Sequence, residues 1–161
     1  SRSPDYRNST ERELRRNGYS FINNSIGPIG GFPGTYLPYK LKNLKESGLT
    51  EKDAKTAGLR KARKISFMNG VMMTAGMNKG IMLKSVLAKT KSKFKAIIFA
   101  DDHIRHTKKM QAIMGDIKGI ELTTFRYGAI DKSVDSFKKG NKKAVISAFN
   151  KLNKTTNSIF K

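Results

Sequence analysis

Two adjacent carboxylates, Asp101 and Asp102, follow directly on a short apolar run, Ala96-Ile97-Ile98-Phe99-Ala100. A continuous apolar run of this length fits a strand buried on both faces, as in a parallel sheet between helices. In such sheets ligands bind just beyond the carboxyl ends of the strands. Two acids side by side at that point repel one another unless a cation or a substrate shares the site. The pair therefore reads as half of a site for a hard metal ion. The other half begins at Lys79-Gly80, which opens a helix and so places Lys79 near the end of the preceding strand. Neighbouring parallel strands would bring Lys79, Asp101 and Asp102 to one edge of the sheet. A lysine point charge beside carboxylates and a metal suits a phosphoryl group, and carboxylate-held Mg²⁺ would neutralise the charge that develops on it. The plainer alternative is that the two acids only cap the next helix. His103 and His106 lie three apart and could face one ligand, but no third ligand of suitable spacing accompanies them.

The elements that must carry these residues are punctuated clearly in places. Residues 1 to 18 read as a helix, with Ser3 as N-cap, Pro4 at the first helical position, Asp5 in the first turn and Gly18 as the stop. Residues 19 to 39, rich in aromatics, proline and glycine, read as an irregular loop that starts with a short strand at Tyr19 to Ile22. Its Gly-Pro-Ile-Gly-Gly-Phe-Pro-Gly stretch is no phosphate loop, because no Gly-Lys-Ser/Thr follows and the prolines remove amide donors. Short helices are expected around Leu41 to Glu46 and Thr50 to Thr56, which makes 19–63 an irregular and helical insertion. Residues 64–74 read as a β-hairpin about Asn69-Gly70, with the methionines as core filler. Helix, strand (95–100), helix (104–114) and strand (119–125) follow. One or two terminal helices broken near Gly140 come next, then a frayed tail over 153–161. From Met72 onward the order strand, helix, strand, helix, strand is the rhythm of an α/β fold with a parallel sheet.

Composition narrows the chemistry. The chain of 161 residues is about one domain long and has no cysteine, which excludes disulfides, thiol nucleophiles and zinc-thiolate sites. No Gly-x-Ser-x-Gly elbow is present. No apolar run approaches the roughly 20 residues that span a bilayer, and no secretory signal pattern opens the chain. A soluble protein without a membrane partner is expected, cytoplasmic or exported. The chain begins at Ser1 without Met, so a preceding segment is expected. Thirty-three Lys and Arg against 12 Asp and Glu give a net charge of +21, which keeps open a basic protein that binds nucleic acid or acidic partners.

Taken together, the sequence resembles the haloacid dehalogenase (HAD) superfamily of phosphohydrolases and, more narrowly, an uncharacterised HAD-like family of bacterial proteins. The likeness lies in SRSPDYRNSTEREL at the start, MNKGIMLKSVL at 77–87, IIFADDHIRH at 97–106 and TFRYGAIDKSVDSF at 124–137. The resemblance implies a three-layer, Rossmann-like parallel sheet, incomplete at its N-terminus, within a single domain over 1–161. It makes Lys79 the phosphate-contacting lysine of the third motif and Asp101 the Mg²⁺-ligating carboxylate of the fourth, with Asp102 a second acidic contact. Ser1 and Arg2 fall where the phosphate-binding second motif ends. The Asp-x-Asp that supplies nucleophile and general acid/base in such enzymes occurs nowhere in the chain. The resemblance therefore implies the C-terminal portion of a Mg²⁺-dependent phosphoesterase, with no catalytic nucleophile of its own. The phosphorylated substrate would be met in a full-length protein with an N-terminal half.

Overall fold

The computed structural model describes residues 2–27, 36–38, 44–45, 47–58 and 64–160. They fall into two compact units, Ser1–Tyr127 and Gly128–Lys161, each described by itself.

The first unit opens as its sequence requires. Ser3 accepts the Asp5 N–H at 3.4 Å ahead of a 3-10 turn at Pro4–Tyr6, which runs on into α1 (Arg7–Arg16). Gly18, at φ +77°, follows the stop. The stretch from Tyr19 to Ile22 is not a strand; its side chains are exposed, with the Tyr19 and Phe21 rings stacked 6.5 Å apart. A three-stranded antiparallel sheet follows in the order β1 (Tyr36–Pro38), β2 (Lys64–Met68), β3 (Val71–Met73). The β2–β3 turn is the one its Asn-Gly dipeptide favours, with positive φ at both Asn69 (51°) and Gly70 (73°).

Arg7 ties α1 to this hairpin. It is 6% exposed, and its guanidinium donates to Ser66 Oγ at 2.7 and 3.0 Å, to the Ser66 carbonyl at 3.1 Å and to the Val71 carbonyl at 2.9 Å. Glu11, one turn along α1, completes its charge pairing at 2.7 Å. Gly70 meets a second tight constraint, since a Cβ there would stand 2.6 Å from the Phe21 carbonyl oxygen. Gly70→Ala, strained in φ and clashing with backbone, is expected to cost about 2 kcal/mol. A urea midpoint unchanged from the parent would refute it.

Thr50 and Asp53 form a reciprocal capping box at the start of α2 (Glu51–Ala57), and Gly58 closes it in the left-handed region. The helix expected over Leu41 to Glu46 falls largely outside the described residues; Leu44 and Lys45 form a turn. Next come α3 (Lys79–Thr90), β4 (Ala96–Asp101), α4 (Ile104–Met114) and β5 (Glu121–Arg126). β4 and β5 pair in parallel, from Ala96 opposite Glu121 to Asp101 opposite Arg126. α4 makes the crossover between them. Gly80 brings α3 close to α4, for a Cβ there would sit 3.0 Å from that of Ile113. The core holds Ile65, Ile81, Met82, Met110, Ile113 and Met114; of the hairpin's methionines, Met73 is buried and Met72 packs partly buried against this core, as filler.

The α/β class is as expected, and the topology differs in one respect. The Asn69-Gly70 turn commits β3 to antiparallel pairing with β2, so the strand before α3 lies in a different sheet from β4. The parallel unit among the described residues is β4–α4–β5 alone. β4 is also packed on one face rather than two: Ile97 and Phe99 lie against the core while Ile98 is 76% exposed.

In the second unit, α5 (Asp131–Lys139) and α6 (Lys143–Ile159) are separated at Gly140, where a break was expected. Lys142 lies 5.2 Å from the centre of the Phe137 ring. The helix does not fray at Asn153. It continues to Ile159, with Thr156 Oγ1 donating to the Leu152 carbonyl at 2.9 Å.

Candidate functional site

Asp101 is the last residue of β4, and its side chain is 2% exposed. The parallel ladder holds its backbone, and its carbonyl accepts the Tyr127 N–H at 2.8 Å as the chain leaves β5. Lys79 is the first residue of α3. Its position is set by Asn78, whose Oδ1 caps the helix by accepting the Gly80 and Ile81 N–H groups at 2.9 and 3.3 Å. Packing of α3 on α4 then delivers the Lys79 ammonium to Asp101 Oδ2, where the two form an ion pair. Of the three expected neighbours Lys79 and Asp101 do meet, though through helix packing and not through adjacent parallel strands, while Asp102 turns to His103.

The other Asp101 oxygen is equally engaged. Oδ1 accepts the His103 backbone N–H at 2.9 Å and lies 2.9 Å from His106 Nδ1. Burial by itself would push the Asp101 carboxyl up. The hydrogen bond from Lys79, followed by those from the His103 N–H and His106 and the Lys79 charge, outweighs burial and holds it well below the usual carboxylate range. The carboxylate thus stays ionised with a cation and a ring nitrogen fixed on it. This contains the helix-capping alternative without being exhausted by it.

His106 was readable only as a surface or metal-binding residue; the structure places it on Asp101. The signal was its spacing, since residue 106 of a helix starting at 104 turns back toward the strand end. His103 takes the other acid: its Nδ1 lies 2.9 Å from an oxygen of Asp102, whose side chain is 57% exposed. Donor atoms of Asp101, Asp102 and His103 fall within 4.8 Å of one another. The two carboxylates are oxygen donors of the kind Mg²⁺ takes, and exposed Asp102 leaves room for a hydrated ion. Imidazole is not a magnesium ligand of choice, so the fit rests on the acids.

Ser1 lies outside the described residues. Arg2 is exposed and its guanidinium donates to Thr10 Oγ1 at 3.2 Å, while its carbonyl accepts the Ala75 N–H at 3.1 Å. Its backbone therefore lies beside the segment leading to Lys79, with its charge turned along α1.

No helix among the described residues is long and apolar enough to cross a membrane. A family model described as "Protein of unknown function (DUF2608)" matches residues 1–159. Neither the curated proteins nor the solved structures contain a match.

Proposed function

The chain belongs to the DUF2608 family, and we propose that it is the C-terminal portion of a Mg²⁺-dependent, HAD-like phosphoesterase whose nucleophile lies outside these residues. The observation that carries this reading is the buried Asp101 at the carboxyl end of a parallel strand, ion-paired with Lys79 from the start of a neighbouring helix. β4, α4 and β5 are then the parallel part of a larger, three-layer sheet.

The chemistry follows from what each group has left to offer. The Lys79 ammonium has three donors. One is used on Asp101, and the side chain is 30% exposed, so two remain for the oxygens of a phosphoryl group arriving from solvent. Asp101 keeps that ammonium aimed, and His106 with the His103 N–H keeps Asp101 aimed. Asp101 and Asp102 would hold Mg²⁺, which when bound supplies charge neutralisation at phosphoryl oxygen. Without Asp-x-Asp the chain has no carboxylate to attack phosphorus.

Two results are therefore expected from the isolated chain. It hydrolyses no aryl phosphate with or without Mg²⁺, and it binds inorganic phosphate in a manner weakened at least tenfold by Lys79→Met. Robust Mg²⁺-dependent hydrolysis would sink the first claim. Phosphate binding indifferent to Lys79 but falling steeply in a log–log plot against salt would favour the alternative, a basic protein that binds nucleic acid or acidic partners through its +21 charge.

A further inference from the structure

Beside the ion pair lies a cavity of about 540 Å³ between the hairpin, α3 and the segment Phe21–Ile26. Its wall is mainly apolar, from Phe21, Phe67, Leu83 and Phe99 among others, and the Lys79 side chain forms part of it. The volume is that of a small-molecule site, for which roughly 300–1,000 Å³ is usual. Thr74, at the end of the hairpin, also lines it. That residue is 8% exposed, and among the described residues its buried Oγ1 has no hydrogen-bond partner.

We propose that this cavity binds the organic part of the substrate, and that the substrate is a monoester of an aromatic or branched apolar alcohol. The proposal rests on the reading of Lys79 as a phosphoryl contact. With the phosphoryl group at the Lys79 ammonium, the rest of the molecule runs along the lysine stem into the cavity. A sugar phosphate with hydroxyls all round fits less well, because Phe67, Leu83 and Phe99 offer them no partner and the polar side chains of the wall are few, Asn24, Ser25 and Thr74 besides Lys79.

The test titrates 1-naphthyl phosphate, inorganic phosphate and 1-naphthol onto the full chain, and repeats all three on Leu83→Trp and Lys79→Met. Leu83 is partly buried, so the indole is expected to occupy the cavity with the fold retained, which a melting curve checks. Naphthyl phosphate is expected to bind at least tenfold more tightly than inorganic phosphate, with that margin lost in Leu83→Trp and inorganic phosphate unaffected. Equal affinities for the two phosphates in the parent chain overturn the cavity proposal and leave the phosphoryl reading standing, whether or not Leu83→Trp folds. A preference that survives in a folded Leu83→Trp overturns it too. If naphthol binds as tightly as naphthyl phosphate and Lys79→Met changes neither, the phosphoryl reading fails and the monoester proposal falls with it. Binding of none of the three overturns both.

Discussion

Arg7→Met is expected to lower the unfolding free energy by about 3–5 kcal/mol, enough to leave a domain of ordinary stability close to unfolded. Methionine keeps most of the side-chain length and loses every donor. The Ser66 and Val71 carbonyls and the Ser66 hydroxyl, which Arg7 holds at 2.7 to 3.1 Å, would then be left inside without it. Ser66 is fully buried, so water cannot take over. Glu11 would also lose the cation that makes its 2.7 Å contact. Arg7→Lys is expected to recover only a small part, because one ammonium cannot serve two carbonyls and a hydroxyl from the position of a planar fork. Urea unfolding reads the effect directly: with a slope of about 1–3 kcal/mol/M the midpoint falls by at least 1 M. A loss below about 1 kcal/mol would show that α1 is held by something other than this guanidinium.

The second large effect is at the candidate site itself. Lys79→Met leaves the Asp101 carboxylate, whose side chain is 2% exposed, with the His103 N–H and His106 but without its cation. Breaking a fully buried pair costs about 3–5 kcal/mol; because Lys79 is 30% exposed, a loss of about 2 kcal/mol is expected here. The acid dependence has a definite sign. Asp101 is held below its unfolded value, so its contribution is fully present above the unfolded pKa of about 3.9 and is lost as pH falls toward its folded value. Asp53, lowered by Lys84 and Thr50 against the opposing effect of burial, works in the same direction. The stability gap between the parent chain and Asp101→Asn should therefore be constant near neutrality and shrink below about pH 4. A gap that widens on acidification would mean that Asp101 is protonated in the folded chain.

How much of this could be read from residue order depends on how local each cause is. The helix Ile104–Met114 and the Asn69-Gly70 turn were legible because their signals lie within a few residues of the element they specify. Lys79 and Asp101 were legible as a pair by residue type and context, yet the route that joins them was misjudged. A strand ending at Met73 looks the same in sequence whether it pairs with β2 or with β4, and only the two-residue turn decides it. The single-faced packing of β4 was hidden for a related reason, since Ile97, Ile98 and Phe99 are all apolar and composition does not say which face is covered. Arg7 was invisible: within α1 it is one arginine among several, and its burial is caused by Ser66 and Val71, far along the chain. His106 lies between the two cases: its spacing carried a signal, while its partner Asp101 shows only in the fold.

The clamp at Arg7 also sets a timetable. Its partners lie 59 and 64 residues downstream, so at about 5–20 residues per second the ribosome needs roughly 3–13 s to deliver them after Arg7 itself is made. An isolated helix as short as the 10-residue α1 is marginal in water and lacks its hairpin partners during that interval. α1 is thus made well before the hairpin that holds it, and takes its place only when Ser66 and Val71 have followed.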